Sequence, residues 1–238
     1  MVLEPRPAPD QPELISDGGG LPFAPGALAG PAGRLDREDP AVAALIAQIR
    51  RGPAAKRANR GLWKRGAPAA PAAQPSLEGW RLLARTEDEV LFAHGRPPQL
   101  LTVAVRQDNR RRKWTCIGVS TARPLRATRD GIRASGWRLD PTREAGAEET
   151  VLRVLITEQT WSRRNRADSR LLPPDLHLGA EALILTTFIP PRTGFQVRSS
   201  NPETPARITL PRPLGTRRLI DGALYGAGSS DTLPEQRA

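Results

Sequence analysis

Residues 100–120 read LLTVAVRQDNRRRKWTCIGVS. Leu101, Val103 and Val105 alternate with smaller or polar residues, so one face of an extended chain is apolar there. The second half, 113–120, is again rich in β-branched and aromatic side chains. Asp108-Asn109 between them supplies turn chemistry. Two short extended runs joined by a polar turn set the pattern for everything C-terminal to Trp80.

Working outward, further strands are expected at 80–85, 89–94, 132–139, 150–160, 181–189 and 206–210, with a weak one at 217–220. In 150–160, Leu152, Val154 and Ile156 point one way while Arg153 and Thr157 point the other. No helix of normal length separates these runs, so parallel βαβ crossovers are missing. The expected fold is all-β, a single antiparallel β-sandwich or open barrel over 78–226. After Tyr225 the tail, 227–238, reads as disordered.

Residues 1–77 read differently. Pro5, Pro7, Pro9, Pro12, Gly18, Gly19, Gly20, Pro22 and Pro25 punctuate a segment poor in large apolar residues. Such a segment is expected to stay disordered, because little burial offsets the entropy of ordering. One short helix is expected within it, at 40–51. Asp39 suits the N-cap and Pro40 the first turn. Val42, Leu45, Ile46 and Ile49 share a face, Arg50 and Arg51 suit the last turn, and Gly52-Pro53 should end it. Residues 66–76 form an alanine–proline linker.

The chain of 238 residues carries a formal charge of +11. A basic balance invites a polyanionic partner. Lysine occurs only at Lys56, Lys64 and Lys113, a skew to arginine that fits GC-rich codon usage and accounts for part of the charge. Cys116 is the single cysteine, and His94 and His177 are the two histidines, so nitrogen–sulfur metal chemistry is close to excluded. No stretch approaches the ~20 apolar residues of a membrane span. Residues 1–20 lack the apolar core of a secretory signal, so a cytoplasmic protein is expected.

No G-x-x-x-x-G-K-[ST] or G-x-G-x-x-G pattern is present. Cys116 lies mid-strand and reads as core, while His94 reads as a strand-end residue and His177 lies in a turn context, neither with a motif. Glu87-Asp88-Glu89 reads as a solvated turn. The basic clusters carry more weight. Residues 50–65 hold Arg57, Arg60, Lys64 and Arg65 around Trp63, and Arg110, Arg111, Arg112 and Lys113 precede Trp114. Two further sets are Arg123, Arg126, Arg129 and Arg133, and Arg163, Arg164, Arg166 and Arg170 near Trp161. Arginine beside an aromatic is the chemistry of phosphate contact with base stacking. Trp114 and Trp137, however, fit strand positions that serve the core.

Four segments carry a resemblance. They are Ala134-Ser135-Gly136-Trp137-Arg138-Leu139, Ile156-Thr157-Glu158-Gln159-Thr160, Asn201-Pro202-Glu203-Thr204-Pro205 and the run from Pro213 to Gly222. Residues 132–222 resemble an uncharacterised β-domain family of high-GC Gram-positive bacteria, whose members are often described as exported proteins or lipoproteins. The resemblance implies architecture and no activity. Similar sequences carry cysteines near Trp161 and Arg198; this chain has none there, which sets it apart from exported relatives.

The sequence thus favours a non-enzymatic binding or structural module with a protein partner still to be identified, requiring no cofactor. The alternative is a nucleic-acid-associated protein that uses Arg57, Arg60, Trp63, Lys64 and Arg65 with Arg110, Arg111, Arg112 and Lys113. A hydrolase without a recognisable motif comes third.

Overall fold

A computed structural model describes residues 1–30, 33–58, 75–143, 145–158, 166–192 and 201–225, with side chains in the helix described as far as Arg51. In chain order the elements are β1 (Val2–Leu3), β2 (Arg6–Pro7), β3 (Leu14–Ser16), α1 (Gly26–Ala29), α2 (Pro40–Ala58), β4 (Trp80–Arg85), β5 (Glu89–His94), β6 (Leu101–Asp108) and β7 (Lys113–Thr121). There follow β8 (Leu125–Arg129), β9 (Ile132–Leu139), β10 (Val151–Thr157), β11 (Asp175–Leu178), β12 (Ala182–Phe188), β13 (Thr204–Thr209), β14 (Arg218–Asp221) and β15 (Leu224–Tyr225). Among the described residues the fold is all-β with one helix of appreciable length. The strands fall into two compact units, divided after Asp17 and after Arg123. The all-β class expected, a sandwich or open barrel, holds, but the unit boundaries fall elsewhere than at 78 and 226. Unit 2 takes residues 18–123, and unit 1 takes residues 1–17 together with the chain from Pro124 onward.

Unit 1 is built on a strand path β1-β13-β10-β9-β12-β11-β2. Its two end strands, β1 and β2, are neighbours in sequence. Val2 and Leu3 pair in parallel with Arg207 and Ile208. Arg6 and Pro7 pair in parallel with Asp175 and Leu176. Three residues of chain reach at most ~11 Å, so the sheet must curl until β13 and β11 nearly meet, and residues 2–7 bridge the gap. The core inside is the alternation read from sequence: Leu152, Val154 and Ile156 are buried, together with Leu183, Leu185 and Ile208. Trp137 joins this core and its indole Nε1 donates to the Leu185 carbonyl at 2.9 Å, so its polar edge is satisfied.

The expectation that residues 1–77 are disordered also needs correcting where the chain is described. Leu3 and Ile15 are buried, and β3 pairs antiparallel with β8. The prolines fit because each contact is only two or three residues long. The Arg6 amide donates to the Pro174 carbonyl at 2.8 Å and the Ala8 amide to the Leu176 carbonyl at 3.0 Å. Pro7, between them, sits where a strand residue's N–H would face away from β11, so nothing is lost by its ring. Asp175 accepts at Oδ1 from Arg6 Nη2 at 3.0 Å and from Arg129 Nη1 at 2.5 Å, locking the strap to the sheet.

Unit 2 is an antiparallel meander, β4-β5-β6-β7, with α2 across one face. Ala41, Val42 and Leu45 pack on Trp80, Val90, Phe92, Val103 and Val105. Asp39 accepts the Ala41 amide at 2.8 Å, as expected of an N-cap, and also pairs with Arg85. Burial opposes its ionisation, but Arg85 and the Ala41 amide outweigh this and hold the carboxyl below its ordinary value. The helix does not stop at Gly52-Pro53; it runs to Ala58, through a stretch of strong helix formers that carry it past one missing rung. On the opposite face, Gly20 lies so close that a Cβ there would sit 2.8 Å from Leu91 Cδ1 and 3.0 Å from Ala104 Cβ. Arg81, also buried, donates to the carbonyls of Leu28 at 2.7 Å and Gly30 at 3.2 Å, holding the single turn α1.

Closure by residues 2–7 makes a prediction. Deleting residues 1–8 removes two strand pairings and the buried Leu3, and should cost unit 1 about 3 kcal/mol or more. Arg6→Ala, which removes only a half-exposed ion pair, should cost less than about 1 kcal/mol. Urea unfolding of both variants checks the ratio.

Candidate functional site

Arg51 of the helix and Arg112 and Lys113 of the β6–β7 hairpin line one groove. Helix α2 forms one wall, with Ala43, Ala44 and Ala47 facing the gap and Arg51 at its far end. Strand β7 forms the other, with Lys113, Trp114, Thr115 and Cys116, and Arg112 just before it. The groove has a volume of about 480 Å3, and among the described residues no carboxylate lines it. Arg51, Arg112 and Lys113 are exposed, while Trp114 is half-buried, packed on the core from one side.

The β6–β7 hairpin that delivers these cations is tightly specified. Asp108 Oδ1 accepts the Arg110 amide at 2.9 Å and the Arg111 amide at 3.3 Å, which closes the turn begun at Asp108-Asn109. Arg112 occupies the left-handed region, with φ of 48°. That position ordinarily favours glycine or asparagine. An arginine there is a local cost that the backbone carries, and its side chain lines both this groove and a neighbouring concavity with Glu87 and Asp88.

Of the residues singled out by sequence, Arg110, Arg111, Arg112 and Lys113 lie at this hairpin, and all are exposed. Arg57 lies in the last turns of α2, where side chains are not described. Arg60, Trp63, Lys64 and Arg65 lie outside the described residues. What sequence reasoning missed is Arg51 as a partner of Arg112 and Lys113, and Trp114 as a groove residue. The helical face of alanines opposite Val42 and Leu45 was the available signal.

The other candidates resolve into structure. Burial pushes the Cys116 thiol above its ordinary value, and the nearby Arg51 guanidinium offsets this only in part, so the thiol stays protonated at neutral pH. The His94 ring lies 5.4 Å from that of Trp80, and His177 Nδ1 is 3.2 Å from the Ala8 carbonyl oxygen. Glu89 is not in a solvated turn but buried in β5, where Arg106 Nη2 donates to it at 2.6 Å. In unit 1, the loop at Asn201–Pro205 is tied down on three sides. Asn201 Nδ2 donates to the Glu158 carbonyl at 2.6 Å, Arg138 grips Glu203 at 2.7 Å, and Thr204 Oγ1 accepts the Ala167 amide at 2.8 Å. Its residues serve the fold. The buried Glu158 pairs with Arg170, the best enclosed ion pair described here. A cleft of about 290 Å3 under residues 6–14 is lined by Asp175, Arg6 and Arg129, whose charges engage one another.

Comparison with family models, with curated proteins and with solved structures gives no match. Among the described residues, no helix is long and apolar enough to cross a membrane.

Two predictions follow from these local environments. Arg112→Gly relieves the left-handed strain and should raise the stability of unit 2 by about 1 kcal/mol, read as a higher Tm. In unit 1, burial pushes the Asp221 carboxyl up to about 6, against the opposing pull of the Ala223 amide, Arg126 and Trp137. Its folded value lies above its unfolded one, so its contribution is present at low pH and is lost as pH rises from about 4 through 6. Asp221→Asn, which keeps an acceptor for the Ala223 amide, should leave stability unchanged near pH 4 and gain about 2 kcal/mol above pH 7. Thermal melts across that range test the sign.

Proposed function

We propose that this protein is a non-enzymatic binding module whose contact surface is the groove between α2 and β7, and that its partner is a polyanion. The supporting observation is convergence. Arg51 on the helix and Arg112 and Lys113 on the hairpin, far apart in the chain, line one concavity that holds no acid among the described residues. Cations gathered on a desolvating concave wall attract an extended anion more strongly than the same charges scattered over a convex surface. This reading promotes the polyanion alternative over an unspecified protein partner, and it sets the protein in the cytoplasm, where Cys116 stays reduced. The resemblance of residues 132–222 to the exported β-domain family concerns unit 1 and lends it architecture alone.

A protein partner keeps a second reading through one feature. Leu82, Ile117 and Val119 are large apolar residues left exposed on unit 2. Ile117 and Val119 lie on β7, beyond the groove residues, and Leu82 lies on β4 at the other edge of the sheet.

Retention on immobilised heparin is the direct test of the groove. The wild type should elute at a salt concentration well above that of Arg51→Glu/Arg112→Glu/Lys113→Glu, since each lost contact lowers the salt dependence of binding. Equal elution of the two proteins would remove the groove as the site.

A further inference from the structure

We infer that the groove takes a single strand of nucleic acid, with phosphates on Arg51, Arg112 and Lys113 and a base against Trp114. The inference rests on the polyanion reading above and names the anion. Three features of the groove select among anions.

The first is the indole. Trp114 lines the same concavity as the three cations and is only half-buried. A run of carboxylates has no ring to lay against it. The indole offers a stacking face to an unpaired base. The second is the facing wall. Ala43, Ala44 and Ala47 line the same concavity as Trp114. The slot therefore combines small apolar side chains with cations, which suits a flat ring attached to a charged backbone.

The third is shape. The gap is that between a helix and the strand it packs on, and among the described residues no carboxylate lines it. A duplex hides its base faces inside the stack and is convex, so it cannot bring a base to Trp114. A strand with splayed bases can. Arg112, held at φ of 48°, stands where the hairpin meets the slot. Its guanidinium is the cation the backbone carries at a conformational cost.

Fluorescence anisotropy on the full chain tests this with four probes: a 12-nucleotide oligo(dT), a 12-base-pair duplex, heparin and poly-glutamate. Oligo(dT) should bind at least about tenfold more tightly than the duplex at equal salt. Trp114→Leu keeps apolar volume but lacks a ring. It should weaken oligo(dT) binding about fivefold or more and leave heparin binding unchanged. A thermal melt of that variant separates loss of the ring from loss of the fold, and Arg112→Gly supplies an independent variant that should fold at least as well as the wild type. Arg112→Gly should lower the slope of log K against log salt by about 0.7 for the single strand.

Equal binding of oligo(dT) and duplex, with no effect of Trp114→Leu in a folded protein, would overturn the inference. The polyanion reading would survive that result if heparin binding still depended on Arg51, Arg112 and Lys113. Tighter binding of poly-glutamate than of oligo(dT) would also overturn it and point to an acidic protein. Binding to none of the four would end both.

Discussion

The architecture of unit 1 depends on one pairing, in which residues 2–7 hydrogen-bond to β13 at one end and β11 at the other. Neither contact is long. Each is a two-residue parallel pair, the less stable form of strand pairing. Together they do what a long strand could not. They let one short segment satisfy both free edges of a curled sheet, and exposed edges are where β proteins associate wrongly. Asp175 fixes the geometry by holding Arg6 from the strap and Arg129 from β8 at once, while Arg129 lies 4.3 Å from the centre of the Phe188 ring. Removing the strap would leave two edges, a half-buried aspartate with one partner, and an open core.

Unit 2 solves the opposite problem. Its four strands are long, local and meander in order, so pairing needs no help. What it lacks is cover. Helix α2 covers one face through Val42 and Leu45, and the chain around Gly20 approaches the other. The helix covers only part of its face. Where its alanines meet the start of β7 the packing stops, and the basic groove is the space left over. The same amphipathic division that docks the helix thus leaves a small-residue wall beside Trp114.

Most of the strands were legible in the sequence because their side chains alternate and turn residues bound them. Trp80–Arg85, Glu89–His94 and Ile132–Leu139 fall where the pattern sets them. The strands not foreseen are β1, β2, β3, β8, β11 and β15, none longer than five residues. A period of two cannot show itself in two or three residues, and the prolines around β2 argue locally against any strand. Tertiary pairing overrode that local signal. The division into two units was hidden for a related reason. Composition shifts near residue 77, whereas the physical boundary falls after Asp17 and after Arg123. The groove was half legible. The charges of Arg110 to Lys113 stood out, but their meeting with Arg51 is a product of helix docking, and Trp114 read as core because its strand position is a core position.

The split of unit 1 across the chain has a kinetic side. Val2 must find Arg207, and Arg6 must find Asp175, with the whole of unit 2 made in between. Unit 2, whose neighbours in space are neighbours in sequence, can complete itself as soon as β7 leaves the ribosome. Unit 1 cannot close until β13 emerges. For that interval Val2 and Leu3 lack their partner strand, whereas β3 and β2 meet theirs, β8 and β11, earlier in the chain.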